Sequence, residues 1–205
     1  MGDVKERLTL RDERAAVTRR RIADAARALF GSRGYGATTI QAVADEAGVA
    51  VQTVYAVYGS KAGILHELRD TAVRQPAAEA LYEDAMREAK AERKIELFAS
   101  SIRRRWEFGH DVVAIHSDAA ATDSSVRAEV EQVLGMRRNG IARLARSLEA
   151  ELQPGIDLAH ATAILDALTL PEVYAELTDI GGWSADDFEA WLVGCLKNQL
   201  LATGP

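Results

Sequence analysis

Side chains able to form specific hydrogen bonds cluster in the segment GVAVQTVYAVYGSK, residues 48–61, which contains Gln52, Thr53 and Tyr55. Their hydroxyl and amide groups donate and accept hydrogen bonds, so the cluster indicates recognition rather than bond breaking. Elsewhere the sequence shows no nucleophile–base pair or metal cluster, and GSRGYG at 31–36 lacks the preceding strand and the lysine of a phosphate-binding loop. We therefore expect a binding protein and not an enzyme.

The same segment is rich in β-branched and aromatic residues, and its composition alone is typical of a strand. A lone strand here would have no partner strand, so a helix is favoured. Ala44, Gly48, Val49 and Val54 have the spacing of a helix-turn-helix, with a small residue at the helix contact, a glycine for the turn and two apolar anchors. The second helix of that motif enters the DNA major groove. The alternative is an ordinary helical hairpin, which the clustered Thr, Gln and Tyr residues disfavour.

Charge is unevenly distributed along the 205 residues. Residues 1–65 contain ten Lys and Arg and seven Asp and Glu, a net of +3; the remainder contains fifteen and twenty-four, a net of −9, and the whole chain carries −6. This pattern is typical of a small module that meets phosphate on a body that avoids it. A single cysteine excludes an internal disulfide, and no apolar run approaches the roughly 20 residues that span a bilayer. We expect a soluble cytoplasmic protein without a cofactor or metal.

Helical periodicity predicts an all-α chain of about nine helices. We expect a helix-turn-helix domain at 10–63 and a larger helical domain at 64–205, with Pro171 kinking a long helix of the latter. Thr38 or Thr39, Ser60 and Ser184 are the expected N-caps. The helices are expected at 14–32, 40–48, within 48–59, 60–76, 94–109, 110–122, 124–152, 157–178 and from 184 onward.

The stretch TTIQAVADEAGVAVQTVYAVYGSKAGIL, residues 38–65, closely resembles the DNA-binding signature of the TetR family of transcriptional regulators. The resemblance covers about 19–65 and includes the double Thr, the Ala–Gly spacing, the Thr-x-Tyr pair and the Ser-Lys that follows. LTLPEVYAELTDIGGWSADDFEAWL, residues 168–192, is more loosely similar to the C-terminal end of many actinobacterial-type members. The resemblance implies an all-helical homodimer that represses transcription and leaves its palindromic double-stranded DNA operator when a small-molecule effector binds the body.

The resemblance also implies contacts for individual side chains. Gln52 could make a bidentate contact to adenine, and Val51 could pack on a thymine methyl group. Lys61 would hold phosphate with its charge and with the N-terminus of its helix. The positions that match phosphate-binding positions of the family are Thr39, Tyr55 and Lys61. Those that match positions facing base edges are Gln41, Val51 and Gln52, and Thr53 is expected to face outward beside them.

Three positions depart from the usual family pattern. Ala50 replaces a Ser or Thr cap, Val57 replaces a His or Tyr that could reach phosphate, and Tyr58 replaces a Phe. We expect Tyr58 in the core with its hydroxyl turned outward. The three arginines at 19–21 are either a solvated face or a contact to DNA phosphate. Arg19 is the candidate for the phosphate contact.

In the body, two groups of residues are candidates for function, although apolar residues at helical spacing are more often plain core. We expect the side chains of Arg103, Arg104 and Arg105 to be solvated. If Arg103 or Arg105 instead points inward, its partner would be an acidic ligand or Asp166. Candidates around an effector cavity are Trp106, Ile115, His116, Met136, Leu165, Leu168 and Tyr174. The last two helices would form a four-helix dimer interface, with Phe188, Trp191, Leu192, Cys195 and Leu196 as candidates.

A second hypothesis keeps the DNA-binding dimer but removes the effector. The body would then serve as a dimerisation or protein-docking module, and its interior would be filled by side chains.

Overall fold

The all-α architecture is confirmed by a computed structural model that describes residues 10–73 and 75–202. Extended pairing within these residues is one antiparallel bridge between Leu152 and Leu201. A 3₁₀ turn at Glu149–Glu151 and a π-helical turn at Glu176–Ile180 accompany the α-helices. The α-helices are α1 Leu10–Arg33, α2 Ile40–Ala47, α3 Val51–Tyr58, α4 Lys61–Val73, α5 Pro76–Arg87, α6 Ala91–Thr122, α7 Ser124–Ser147, α8 Leu158–Leu168, α9 Pro171–Ala175 and α10 Ala185–Leu200.

The chain divides into two compact units between Arg69 and Asp70, a point inside α4. The functional boundary expected after residue 63 stays a prediction.

The first unit is organised around the inner faces of α1, α2 and α3. Each helix contributes apolar residues to this core, and small ones such as Ala26, Ala44 and Ala47 allow the helices to approach closely. This packing supplies the helicity that the β-branched composition of α3 does not supply. The buried residues are Ile22, Ala26, Leu29 and Phe30 of α1, Val43, Ala44 and Ala47 of α2, and Val54 and Tyr58 of α3.

The second unit is built around the long helix α6, against which α5, α7, α9 and α10 pack. α10 begins at a capping box in which Ser184 and Asp187 satisfy each other's backbone N–H groups. Ion pairs also join α6 to α10, among them Arg103–Asp186 at 2.7 Å and Lys197–Glu96 at 2.7 Å. The inward residues of this unit form one continuous core that includes Ile95, Phe98, Ala99, Leu144, Leu165, Phe188, Leu192 and Leu196.

Several predicted helix limits are wrong. The helices expected at 94–109 and 110–122 are one helix. Gly109 does not end a helix; it lies inside α6, where a Cβ built on it would lie 3.0 Å from the Ala72 methyl. The helix expected at 157–178 is broken rather than kinked, since Pro171 is the first residue of α9. Helix α7 ends at Ser147 instead of 152, and α5, which begins with Pro76, was not predicted.

One glycine of the first unit fixes how α4 follows α3. A Cβ built on Gly63 would lie 2.0 Å from the Tyr58 carbonyl oxygen, a backbone atom that cannot move aside. Gly63→Ala should therefore lower the free energy of unfolding by about 1–3 kcal/mol, the range for overpacked sites. Urea denaturation of the purified protein measures this change.

Gly31→Ala is the matched control in the same unit. A Cβ there meets nothing within 4 Å, so alanine should raise the free energy of unfolding by about 0.5–1 kcal/mol through helix propensity. Equal effects of the two substitutions would contradict the close approach at Gly63.

Candidate functional site

The turn between α2 and α3 has the geometry expected of a helix-turn-helix. Thr39 caps α2, its hydroxyl oxygen accepting from the Ala42 N–H at 3.1 Å. Gly48 ends α2 in the left-handed region at φ 64°, and the next N–H, of Val49, donates to the Ala44 carbonyl at 3.0 Å. Together these bonds satisfy backbone groups at both ends of α2 and fix the direction in which α3 leaves the turn.

Helix α3 presents a mixed polar face opposite its buried side. Tyr55 is 52% exposed and Gln52 is exposed, while Val51, Thr53 and Val57 are half-buried. Ala50, the N-cap residue of α3, makes no side-chain hydrogen bond. The first backbone N–H groups of α3 therefore do not donate to a capping side chain.

Tyr58 corrects a prediction. It lies in the core as expected, but its hydroxyl points inward and donates to the Arg19 carbonyl of α1 at 2.9 Å. Burial raises the pKa of Tyr58 to about 12, so the hydroxyl stays a donor at neutral pH. Tyr58, at the position where the resemblance implies a Phe, thus bonds α3 to α1.

The predicted phosphate contact of Arg19 is not supported by its geometry. Its guanidinium makes a two-bond ion pair with Glu67, at 2.6 and 2.7 Å, and lies over the Tyr58 ring. This carboxylate raises the pKa of Arg19 and balances its charge. Arg21 is also exposed, and a Cβ on Gly48 would lie 2.8 Å from its Nη2 atom. The guanidinium nearest the turn is therefore that of Arg21, which sequence reasoning could not select from three adjacent arginines.

Lys61 has a structural role that its sequence position did not reveal. Its ammonium group donates to the Tyr35 carbonyl at 2.7 Å and to the Thr38 carbonyl at 3.0 Å, and lies 4.2 Å from the Tyr35 ring centroid. The Ser60 hydroxyl caps the same helix start by accepting from the Gly63 N–H. Lys61 thus holds the α1–α2 loop in place and commits at least two of its three N–H groups to that task.

On α2, Gln41 and Asp45 lie one turn apart and both are exposed. The Gln41 amide nitrogen donates to an Asp45 carboxylate oxygen at 2.8 Å. Gln41 therefore lies on the exposed side of the motif with one of its amide hydrogens already oriented.

The predicted effector residues of the second unit are mostly packed core. Trp106 donates from its indole N–H to the Thr169 carbonyl at 3.0 Å, and Tyr174 meets Phe188 edge to face. Ile115, His116 and Leu165 are also buried, whereas Leu168 is half-buried. Met136 is 56% exposed and so does not belong to an interior site with the others.

Arg137, which the sequence did not single out, organises this core. It pairs with the Asp166 carboxylate and donates to the Asp166 carbonyl at 2.9 Å and to the Thr169 hydroxyl at 3.0 Å. It occupies the place beside Asp166 that an inward-turned Arg103 or Arg105 would have taken in the alternative to a solvated position. Arg103 pairs with Asp186, so it is not simply solvated, and burial lowers the pKa of Arg105.

The predicted dimer residues of α10 divide into two groups. Phe188, Leu192 and Leu196 have no exposed surface within a single chain, so the structure assigns them to their own core and not to an interface. Trp191 and Cys195 are half-buried and keep surface for a partner. Burial raises the pKa of the Cys195 thiol, which keeps it protonated and unreactive at neutral pH.

An apolar face lies beside Trp191. An open groove of about 280 Å³ is lined by Val173, Leu177 and Trp191, with Glu172 and Glu176 also contributing to its lining. The exposed Trp183 packs edge to face on Trp191, with ring centroids 6.2 Å apart. Ile180, three residues after Leu177, is 75% exposed. We call Val173, Leu177, Ile180, Trp183 and Trp191 the apolar face; none of the seven predicted effector residues lines its groove.

The described residues contain neither a metal-binding cluster nor a membrane-spanning helix. No group of three or more His, Cys, Asp or Glu residues there could hold a metal ion. No helix in residues 10–73 or 75–202 is long and apolar enough to cross a membrane.

The helix-turn-helix segment matches the model of a known protein family. Residues 22–68, which include α2 and α3, match the model of bacterial regulatory proteins of the tetR family. Among curated proteins no match is found.

Solved structures share the fold along nearly the whole chain. NalD of Pseudomonas aeruginosa, the secondary repressor of the MexAB-OprM multidrug efflux pump, is 22% identical with a TM-score of 0.68, over 94% of this chain and 100% of that one. The ketosteroid regulator KstR2 of Mycobacterium tuberculosis is 19% identical with a TM-score of 0.70, over 90% and 95%. FadR of Bacillus subtilis, solved with stearoyl-CoA, is 19% identical with a TM-score of 0.63, over 86% and 96%.

The solved structures establish the fold, and the family match covers the segment in which Thr39, Gly48 and the exposed face of α3 form the helix-turn-helix. Residues 22–68 therefore match the DNA-binding segment of the tetR family of bacterial regulatory proteins, and the chain shares the fold of the similar solved structures.

Proposed function

We propose that the protein is a homodimeric repressor that binds a palindromic operator in the cytoplasm and leaves it when a small molecule binds the second unit. The observation that carries the DNA-binding part is the exposed face of α3, held by the left-handed turn at Gly48.

In this proposal the first turns of α3 read base edges and its middle holds phosphate. Gln52 is exposed at the second position of the helix, where its amide complements adenine. Val51 and Thr53 flank it, and the exposed Tyr55 hydroxyl lies one turn further along. Thr39 keeps its hydroxyl hydrogen for a phosphate, because its oxygen acts as the acceptor in the cap.

The apolar face supports dimerisation. Exposed tryptophan and isoleucine side chains on neighbouring turns are unfavourable in water and are typical of protein interfaces. Trp191 and Cys195 of α10 continue this surface toward a second copy. Two recognition helices in such a dimer would lie about 34–36 Å apart and would contact half-sites one helical turn apart.

The effector part rests on the similar proteins and on the size of the second unit. The similar FadR was solved with stearoyl-CoA, and NalD is a repressor of an efflux pump. A ligand releases DNA only if it binds the two conformations of the protein with different affinity. Trp106 and Tyr174 are engaged in core contacts, so a ligand near them would have to replace those contacts.

These filled contacts are also what favours the second candidate function, a DNA-binding dimer without an effector. A thermal-shift screen separates the two, since a ligand that binds the folded state raises its apparent stability.

Gln52→Ala should reduce sequence preference without abolishing binding. The wild-type protein should prefer DNA beside its own gene over a scrambled duplex, and the variant should lose about fivefold or more of that preference, because a bidentate adenine contact is lost. Competition binding at several salt concentrations measures the effect. Gln132→Ala, at an exposed glutamine of α7, is the matched control. Equal preference for the two duplexes by the wild-type protein would contradict the regulator function.

Val57→His should strengthen operator binding at pH 6. The imidazole has an ordinary pKa of about 6.5, so at pH 6 it would add a cation where the half-buried valine offers none. The salt dependence of the association constant should steepen by about one phosphate contact at pH 6 and return toward the wild-type value at pH 8. An unchanged slope at pH 6 would show that position 57 does not reach phosphate.

Ile180→Glu should shift the protein from dimer to monomer and weaken operator binding. It places a carboxylate on the apolar face at a side chain that is 75% exposed, so folding of the single chain should be unaffected. Sedimentation equilibrium measures the dimer dissociation constant. Met136→Glu adds the same charge at an exposed site of α7 and should leave the dimer intact. Dimers of equal strength in both variants would remove the apolar face from the interface.

A further inference from the structure

The Gln41–Asp45 pair on α2 has a definite donor and acceptor arrangement. The two residues are exposed and lie one helical turn apart, opposite the side of α2 that buries Val43, Ala44 and Ala47. The Gln41 Nε2 atom lies 2.8 Å from an Asp45 carboxylate oxygen. An ionised carboxylate can only accept hydrogen bonds, so the nitrogen of the Gln41 amide, and not its oxygen, must face Asp45.

This assignment leaves one edge of the amide available. One N–H of Gln41 is used by Asp45. When this is the N–H that points away from the amide carbonyl, the other N–H and the carbonyl oxygen lie side by side. That pair complements adenine in the major groove, where N7 accepts and the N6 amino group donates. A glutamine without a neighbour could rotate its amide and present either group at either place.

The helix dipole does not account for Asp45. It lies with Glu46 in the last turn of α2, a turn that carries no basic residue. Carboxylates at that end are unfavourable because the carbonyl groups there carry partial negative charge. Within the described residues the structure gives the Asp45 carboxylate one side-chain partner, the Gln41 amide.

We propose that Asp45 is a positioning residue for DNA reading: by holding the Gln41 amide in one orientation, it makes Gln41 select adenine at one position in each half-site. The inference rests on the proposed function, in which the exposed side of the helix-turn-helix faces DNA. Asp45 itself contacts no base.

The test is a selection from a randomised duplex library with the full-length wild-type protein, followed by competition between duplexes that differ at one base pair. The selected site should contain an adenine whose preference falls about fivefold or more in Gln41→Ala. Asp45→Ala should lower the same preference by about twofold, the size expected for a Gln–Asp pair at this spacing. Its thermal midpoint should stay the same or rise, because an unfavourable carboxylate is removed.

Two controls isolate orientation from charge. Glu46→Ala removes the same charge from the neighbouring exposed position and should keep the wild-type base preference. Asp45→Asn keeps the shape of the side chain but can also donate to the Gln41 carbonyl, so the amide is no longer held in one orientation and the preference should fall as in Asp45→Ala. Overall affinity should rise alike in Asp45→Ala and Glu46→Ala, since both lose a charge that repels phosphate.

The outcomes separate this inference from the proposed function. A wild-type protein that enriches no sequence overturns both. A wild-type site whose base preferences are unchanged by Asp45→Ala, or are changed equally by Glu46→Ala, overturns the role of Asp45 alone. An effect of Asp45→Ala that persists in the Gln41→Ala background would mean that Asp45 contacts DNA directly, which also overturns it.

Discussion

The left-handed turn at Gly48 is the constraint on which the DNA-binding unit depends. Its φ of 64° ends α2 and turns the chain, so that Val54 of α3 returns to the core formed with α1 and α2. A residue with a Cβ would be strained in this conformation and would also press against the Arg21 guanidinium. The angle between α2 and α3, and hence the face that α3 presents, follows from this single backbone conformation.

Around that turn, side chains other than the outer residues of α3 hold the motif together. Lys61 donates to carbonyls of the α1–α2 loop, Tyr58 donates to α1, and Arg19 pairs with Glu67 of α4. These contacts use polar groups that would otherwise be candidates for phosphate. The outer residues of α3 are thereby left for recognition, which explains how a segment with the composition of a strand serves as a recognition helix.

The parts of the fold that depend on short-range patterns could be predicted from the sequence. The limits of α2, the turn glycine and the caps at Thr39, Ser60 and Ser184 depend on residues within four positions of each other. Gly109 could not be interpreted this way, because its role is set by Ala72, and a glycine in the middle of a helix resembles one at its end.

The same limit applies to the candidate sites. Sequence spacing indicated which residues share a helix face, but not that Glu67 balances Arg19 or that Arg137 takes the place beside Asp166. It also did not separate the core side of α10 from its outer side. Phe188 and Leu192 belong to the same apolar stripe as Trp191, yet of these three only Trp191 keeps exposed surface, because the stripe is wider than the side of α10 that faces the core.

A hydroxyl-radical footprint of the full-length protein on its selected operator tests the central claim most directly, because it reports DNA contact and two-fold symmetry together. The account predicts two equivalent protected regions whose centres are one helical turn apart, about 10 base pairs, or a multiple of that distance. A single protected region, or uniform weak protection along the duplex, would contradict it.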